Sequence, residues 1–285
     1  MVVLVTGASG QLGQALKAQA NRYDNLTFVF KTSAEADITD RQQLEQVFNE
    51  VKPGFCINAA AYTAVDKAES ETERAYAINV TGAKNLAEVC LQFNTTLLHI
   101  STDFVFDGNK DTPYTEDDAT NPQGVYGKTK REGEQEIEKI LPQHYIIRTS
   151  WLYSEYGNNF MKTMLRLAAE CDKLGVVNDQ TGTPTNANDL AEALLQIITR
   201  GKKAYGIYHY SNEGVATWYE FAGEIFRINN VLIDLQPIPA SAYPTPAKRP
   251  VYSVMGKSKI KEVFGLSIKG WQESLAAVLK SYNEL

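Results

Sequence analysis

The chain has 285 residues, 44% hydrophobic and 22% charged, with a formal net charge of -6. This composition suits one large α/β domain, or a domain with an appendage, and argues against disorder. No stretch concentrates Lys and Arg, so nucleic-acid binding by phosphate neutralisation has no support.

Residues 2–6 are a β-branched run starting directly after Met1, with no basic region or cleavage pattern ahead of it. They read as a buried first strand and not as a signal peptide. The run leads into Gly7-Ala8-Ser9-Gly10-Gln11-Leu12-Gly13, which opens a helix predicted over 11–20. Glycines after a strand permit a tight turn and let backbone approach a pyrophosphate, while the helix N-terminus offers N–H groups to the phosphates. The spacing is GxxGxxG, and the strand–turn–helix context points it to dinucleotide binding.

A second strand over 26–30 ends in Lys31-Thr32-Ser33. A site for NAD usually places an acid here, on the ribose 2′-hydroxyl. A lysine with two hydroxyl residues suits the 2′-phosphate of NADPH and equally suits a solvated turn, so NADH stays open. Asp37-Ile38 follows, where an adenine pocket could form. Thr39 and Gln42 resemble a capping box for a helix over 41–51. A third strand over 55–58 ends in Asn58-Ala59-Ala60-Ala61-Tyr62-Thr63, whose small side chains leave room for a ligand or for tight helix packing.

A helix over 72–93 precedes a strand over 97–101 that closes on Ser101-Thr102-Asp103. A hydroxyl there could hydrogen-bond a substrate carbonyl. His99, inside that apolar strand, reads as a packed core residue. The next helix, over 127–140, begins at Tyr126-Gly127-Lys128-Thr129-Lys130. Tyr126 and Lys130 share one helix face. A tyrosine ionises near pH 10, and a neighbouring ammonium lowers that value. Tyr126 could then give a proton to a carbonyl oxygen as hydride reaches its carbon. Tyr-x-x-x-Lys alone is a frequent accident. It becomes specific behind a glycine turn and a Ser-Thr strand end roughly 25 residues upstream.

A strand over 145–148 completes an alternation of strands and helices that implies right-handed crossovers. Beyond it the pattern loosens into helices over 160–171, 188–199 and 217–227, and prolines from Pro237 to Pro250 bar a continuous helix. The fold class is α/β: a Rossmann-type doubly wound parallel sheet in a dinucleotide-binding domain over 1–150, with a smaller C-terminal substrate-binding α/β domain over 151–285. Part of the latter returns to the sheet near 206–210. His144 falls in a loop, and His209 is open between core and site. Tyr205, Tyr208, Tyr210, Trp218 and Tyr219 pack the small domain, with one of them open for stacking on a base. Arg249, beside Pro250, is either a cation for a substrate diphosphate or a solvated loop residue. Cys56, Cys90 and Cys171 lie far apart without CxxC spacing, which fits buried free thiols in a reducing compartment and no zinc or disulfide framework. No apolar run approaches the roughly 20 residues of a membrane helix.

Together these motifs resemble the extended short-chain dehydrogenase/reductase family, and within it the dTDP-4-dehydrorhamnose reductases, over essentially the whole chain. The resemblance rests on segments 5–13, 37–40, 58–69, 101–106, 126–130, 148–151, 158–160 and 179–185 and on Arg249-Pro250, the late ones being the most discriminating. It implies that Thr102, Tyr126 and Lys130 are catalytic. Gly10, Gln11, Leu12, Asp37, Ile38, Ala61, Tyr62 and Thr63 would line the cofactor, and Asp103 and Trp151 would touch the sugar nucleotide. The implied activity is that of a cytoplasmic NADPH-dependent oxidoreductase. It would reduce the C4 ketone of dTDP-4-dehydro-L-rhamnose to dTDP-L-rhamnose, the last step toward an activated sugar for cell-surface polysaccharide. Some members are magnesium-dependent dimers. Here Ala15 stands where an acidic ligand is expected, so no metal site is expected, and magnesium and a homodimer stay open. Phe104 follows the Thr-Asp pair where dehydratases carry an acid, which favours plain reduction. An epimerase or another nucleotide-sugar reductase remains an alternative. So does a non-catalytic NADP-binding subunit, against which the intact Thr102, Tyr126 and Lys130 weigh.

Overall fold

The computed structural model describes residues 1–284, so Leu285, the last residue of the expected second domain, lies outside the described residues. The β-branched runs form strands buried on both faces, as parallel sheets between helical layers require. In chain order the first half comprises β1 (Val2–Thr6), α1 (Gln11–Gln19), β2 (Thr27–Lys31), α2 (Arg41–Val51), β3 (Phe55–Asn58), α3 (Val65–Ala68) and α4 (Thr72–Tyr76). It continues through a π-helical stretch, Ala77–Thr81, into α5 (Gly82–Gln92), then β4 (Thr96–Thr102), α6 (Val125–Ile140) and β5 (His144–Thr149). The second half contains β6 (Leu152–Tyr153), α7 (Phe160–Glu170), β7 (Lys173–Val177), β8 (Thr181–Gly182), β9 (Thr185–Asn186), α8 (Ala187–Arg200) and β10 (Gly206–His209). It ends with β11 (Ala216–Thr217), α9 (Trp218–Ile228), β12 (Asp234–Ile238), α10 (Ser258–Phe264) and α11 (Trp271–Asn283).

The main sheet has six parallel strands in the order β2-β1-β3-β4-β5-β10. The chain reverses direction across the sheet between β1 and β3, and ligands of open α/β sheets bind outside the strand ends at such a switch point. One face is covered by α1 and α8, whose Leu12, Leu16, Leu190 and Leu194 share a cluster with Val3, Val5 and Ile147. On the other face Leu44, Phe48, Leu86 and Ile137 pack against Leu4, Cys56 and Ile146. A smaller lobe of α7, α9, α11 and short strand pairs has its own core of Met161, Phe221, Ile225, Trp271 and Leu275.

The return to the sheet occurs at β10, paired with β5 from Gly206↔Tyr145 to His209↔Arg148. Consequently Tyr205, Tyr208 and Tyr210 pack on the main sheet and α8, not in the small lobe; only Trp218 and Tyr219 of that group belong to the lobe core. His144 is not in a loop. It starts β5 and pairs with Leu97 of β4. The cap of α2 is Asp40 and not Thr39: the Asp40 carboxylate accepts from Gln43 N at 3.0 Å, while Thr39 is turned back onto Asp37. A carboxylate is the stronger acceptor at a helix N-terminus. The three thiols are free, and Cys171 is exposed, contrary to the buried expectation, because it lies just past the end of α7. No helix among the described residues is long and apolar enough to cross a membrane.

Candidate active site

Local sequence positions the first half of the site. Gly7 leaves β1 at φ +70°, and a Cβ there would lie 2.5 Å from Ala60 N. Only glycine fits that close crossing of β1 and β3. A Cβ at Gly13 would meet the Gly7 carbonyl at 2.5 Å, which brings α1 hard against the turn. Gly10 caps α1 without a side chain, so its first-turn N–H groups are left for a ligand. A cavity of about 690 Å³ lies over this turn, lined by Gly7, Gly10, Asp37, Ile38, Ala61 and Arg74 among others. It shares Gly10, Ala59, Ala60 and Ala61 with a second cavity of about 590 Å³, which holds Gln11, Leu12, Thr63, Thr102, Asp103, Tyr126, Lys130, Trp151 and Arg249. The two form one track from glycine turn to Tyr126. The glycine turn that any Cβ would block and the uncapped helix start fit a dinucleotide along that track.

Three expected cofactor residues line neither cavity. Gly13 packs the turn. Tyr62 is buried, held by Asn79 through its backbone N–H (2.9 Å) and by Glu71 through its hydroxyl (3.2 Å). Lys31 ends β2 beside Thr6 of β1. The neighbouring Thr32 N–H and hydroxyl both donate to Glu35 at 2.8 Å, so these two donors are already engaged. Arg74, which composition and motif did not single out, brings a cation into the cavity at the same end.

The reacting end is built where β4 and α6 meet. Tyr126 sits in the first turn of α6, whose first N–H, on Val125, donates to the Glu69 carboxylate at 2.9 Å. A Cβ at Gly127 would fall 2.1 Å from the Phe104 carbonyl, so glycine lets this turn press onto the end of β4. Thr102 donates to Asp103 Oδ1 at 3.0 Å, leaving Asp103 Oδ2 buried and without a partner. Burial raises the Asp103 carboxyl to about 6. The expected lowering of Tyr126 by an ammonium is not what the structure shows. Burial pushes the phenol up to about 12, with the Asp103 charge adding to the effect. Lys130, which lines the same cavity, donates to the Ile100 carbonyl at 2.6 Å and faces His99 Nε2 at 3.2 Å. Burial lowers Lys130 to about 8. Under α6, Glu134 is fully buried and paired with Arg148 by two hydrogen bonds of 2.9 and 2.8 Å.

The second half closes the pocket. Trp151, at φ +47°, stacks on Trp218 with centroids 3.5 Å apart, and both line the cavity. Gln11 bridges the halves, its Oε1 accepting from Ser154 Oγ and Asn159 Nδ2, each at 2.9 Å. Arg249 reaches the cavity but pairs with Asp66 at 2.8 and 3.1 Å, so it is not a free cation, though its side chain is half-buried and partly in contact with solvent. His209 belongs to the core, 3.2 Å from the Tyr114 carbonyl and edge-on to Phe106, and burial takes it down to about 3. Among the described residues no three His, Cys, Asp or Glu side chains are grouped to hold a metal ion, and Ala15 is packed in the core.

The site brings the glycine turn, the Thr102 and Tyr126 hydroxyls and the buried Asp103 carboxyl onto one continuous track. That arrangement suits reduction of a ketone on a polar substrate. The model of the RmlD substrate binding domain family matches residues 1–284. Over 99% of this chain and 99% of the relative, the sequence is 44% identical to dTDP-4-dehydrorhamnose reductase of Aggregatibacter actinomycetemcomitans. A crystal structure of a dTDP-4-dehydrorhamnose reductase from Clostridium acetobutylicum superposes with a TM-score of 0.95 at 42% identity, covering 99% of this chain and all of that one. The dTDP-4-dehydrorhamnose reductase of Bacillus anthracis, solved in complex with NADP, also gives 0.95 at 38% identity, over 98% of this chain and 99% of that one. The chain belongs to the RmlD substrate binding domain family.

Proposed function

We propose that this protein is an NADPH-dependent reductase that converts dTDP-4-dehydro-L-rhamnose to dTDP-L-rhamnose. The observation carrying the reading is that Thr102, Asp103, Tyr126, Lys130 and Trp151 share one cavity that continues into the glycine turn. The names of the full-length relatives supply the substrate.

NADPH, when bound, supplies the hydride. Thr102 and Tyr126 hold the C4 oxygen, and the Tyr126 phenol, kept protonated by burial, gives it the proton. Lys130, one turn further along the same face, returns a proton to Tyr126 and binds the nicotinamide ribose. Asp103 Oδ2 accepts from a sugar hydroxyl, which would satisfy the atom left without a partner. The Trp151–Trp218 stack walls the sugar off from water. Arg249, held by Asp66, meets the diphosphate. Arg74 faces the adenosine end of the track. Buried free Cys56 and Cys90 suit a reducing cytoplasm.

The test is NADPH consumption with enzymatically prepared dTDP-4-dehydrorhamnose, with the product identified and the assay repeated with NADH. Formation of dTDP-rhamnose is expected, faster with NADPH. Folded protein that binds NADPH yet turns over with neither cofactor would overturn the reading.

A further inference from the structure

The strand register lines up three polar side chains across the sheet: Thr6 of β1 pairs with Asn58 of β3, and Asn58 with His99 of β4. Lys130 of α6 ends the row. His99 is 1% exposed and Lys130 2%. Asn58 Nδ2 lies 3.0 Å from His99 Nδ1, and Lys130 Nζ lies 3.2 Å from His99 Nε2.

The orientation of the Asn58 amide follows from its oxygen, which accepts from the Thr6 hydroxyl at 2.8 Å and from the Ala60 N–H at 3.1 Å. A backbone N–H can only donate, so Oδ1 must face Ala60 and the NH₂ must face His99. His99 Nδ1 is therefore an acceptor. A neutral imidazole carries one N–H, which then sits on Nε2 and points at Lys130 Nζ. An ammonium has no lone pair and would meet that N–H donor to donor in a dry interior. A neutral amine accepts it and still donates to the Ile100 carbonyl.

We infer that His99, with its tautomer set by Asn58, is a positioning residue that stabilises the neutral amine of Lys130. That amine is the species left when Lys130 Nζ gives its proton to the Tyr126 phenolate, so the lock makes Lys130 a better proton donor. This deepens the reductase reading and rests on it for its role in turnover. Burial, the Lys130 charge and His144 hold His99 well below the usual imidazole range, which keeps its ring neutral. The other titratable groups near Lys130 are Tyr126 and Glu134 on its own helix, Asp103 at the end of β4 and Glu69 at the helix start. Glu134 is engaged by Arg148 and Arg131.

The first test needs no substrate: imidazole nitrogen NMR of the whole protein between pH 6 and 9, with the His99 signals assigned by their loss in His99→Gln. The Nε2–H tautomer should persist throughout; an Nδ1–H tautomer or a doubly protonated ring would overturn the inference. The second test is the pH profile of kcat/KM for Asn58→Asp. The carboxylate would draw the proton to Nδ1, leaving Nε2 to accept from an ammonium. The alkaline limb should move up by about one pH unit, a roughly tenfold gain in proton affinity. If that variant does not fold, His99→Leu should move the limb the same way, because the N–H that favours the neutral amine is then gone. An unmoved limb in folded protein sinks the role even if activity falls. A wild-type chain without turnover sinks the reductase reading instead, while the imidazole spectrum still judges the lock.

Discussion

Replacing Asp103 by asparagine removes a carboxylate that is 2% exposed and whose Oδ2 has no partner. Its carboxyl is raised by burial from 3.8 to about 6. At about 1.36 kcal/mol per unit, ionising it in the folded chain at neutral pH costs about 3 kcal/mol relative to the unfolded chain. The amide keeps an oxygen for the Thr102 hydroxyl but loses the charge-assisted strength of that hydrogen bond, about 1 kcal/mol. Asp103→Asn should therefore be more stable than the parent by about 2 kcal/mol at pH 7.5, with a melting temperature about 4 °C higher. The sign follows from the raised value: the folded chain holds a proton that the unfolded chain releases between about pH 4 and 6. The stability it confers is complete below that window and is lost as pH rises through it. The gap between variant and parent should accordingly narrow on acidification from pH 7.5 to 4.5. Thermal melts across that range would read it, and substrate KM should rise in the same variant because the sugar loses its acceptor. A variant no more stable than the parent at pH 7.5, or a gap independent of pH, would refute the claim that burial makes the Asp103 carboxylate costly to the fold.

Tyr126→Phe should lose about 10²–10⁴-fold in kcat while cofactor affinity, read by NADPH fluorescence, stays within about twofold, because only the phenolic proton is removed. Trp151→Ala should raise the sugar-nucleotide KM about tenfold or more with a smaller change in kcat, since the Trp151–Trp218 stack is cut; unchanged steady-state kinetics would take Trp151 out of the site. Arg148→Met should cost about 3–5 kcal/mol in chemical denaturation by leaving the fully buried Glu134 without its partner, and adding Glu134→Gln should recover part of that loss.

What the sequence revealed were features whose partners lie within a few residues. The glycine turn is a local demand of a strand crossing into a helix. The Tyr126–Lys130 pair follows from helical periodicity, and the buried strands from their β-branched runs. What it concealed depends on register and on lobe closure. Arg249 meets Asp66, 183 residues away in the chain, so its ion pair had no local signal. Trp151, between β5 and β6, joins Trp218, the first residue of α9, which no local pattern links to it. His99 lies among apolar neighbours and had the pattern of core. It is core, yet the parallel register also sets it beside Asn58, and α6 lays Lys130 against its other nitrogen. The clue available in sequence was that Thr6 and Asn58 close their strands, where open α/β sheets place their chemistry, while His99 interrupts the apolar run of another strand. Asn58 closes β3 as Thr6 closes β1, and His99 stands level with both in the ladder. A polar residue at that level in each of three adjoining strands is unlike a core seam, because each buried donor there needs a partner from the next strand. The same row that satisfies these groups reaches Lys130, so satisfying the buried polar groups of the sheet and setting the protonation of the site are one arrangement.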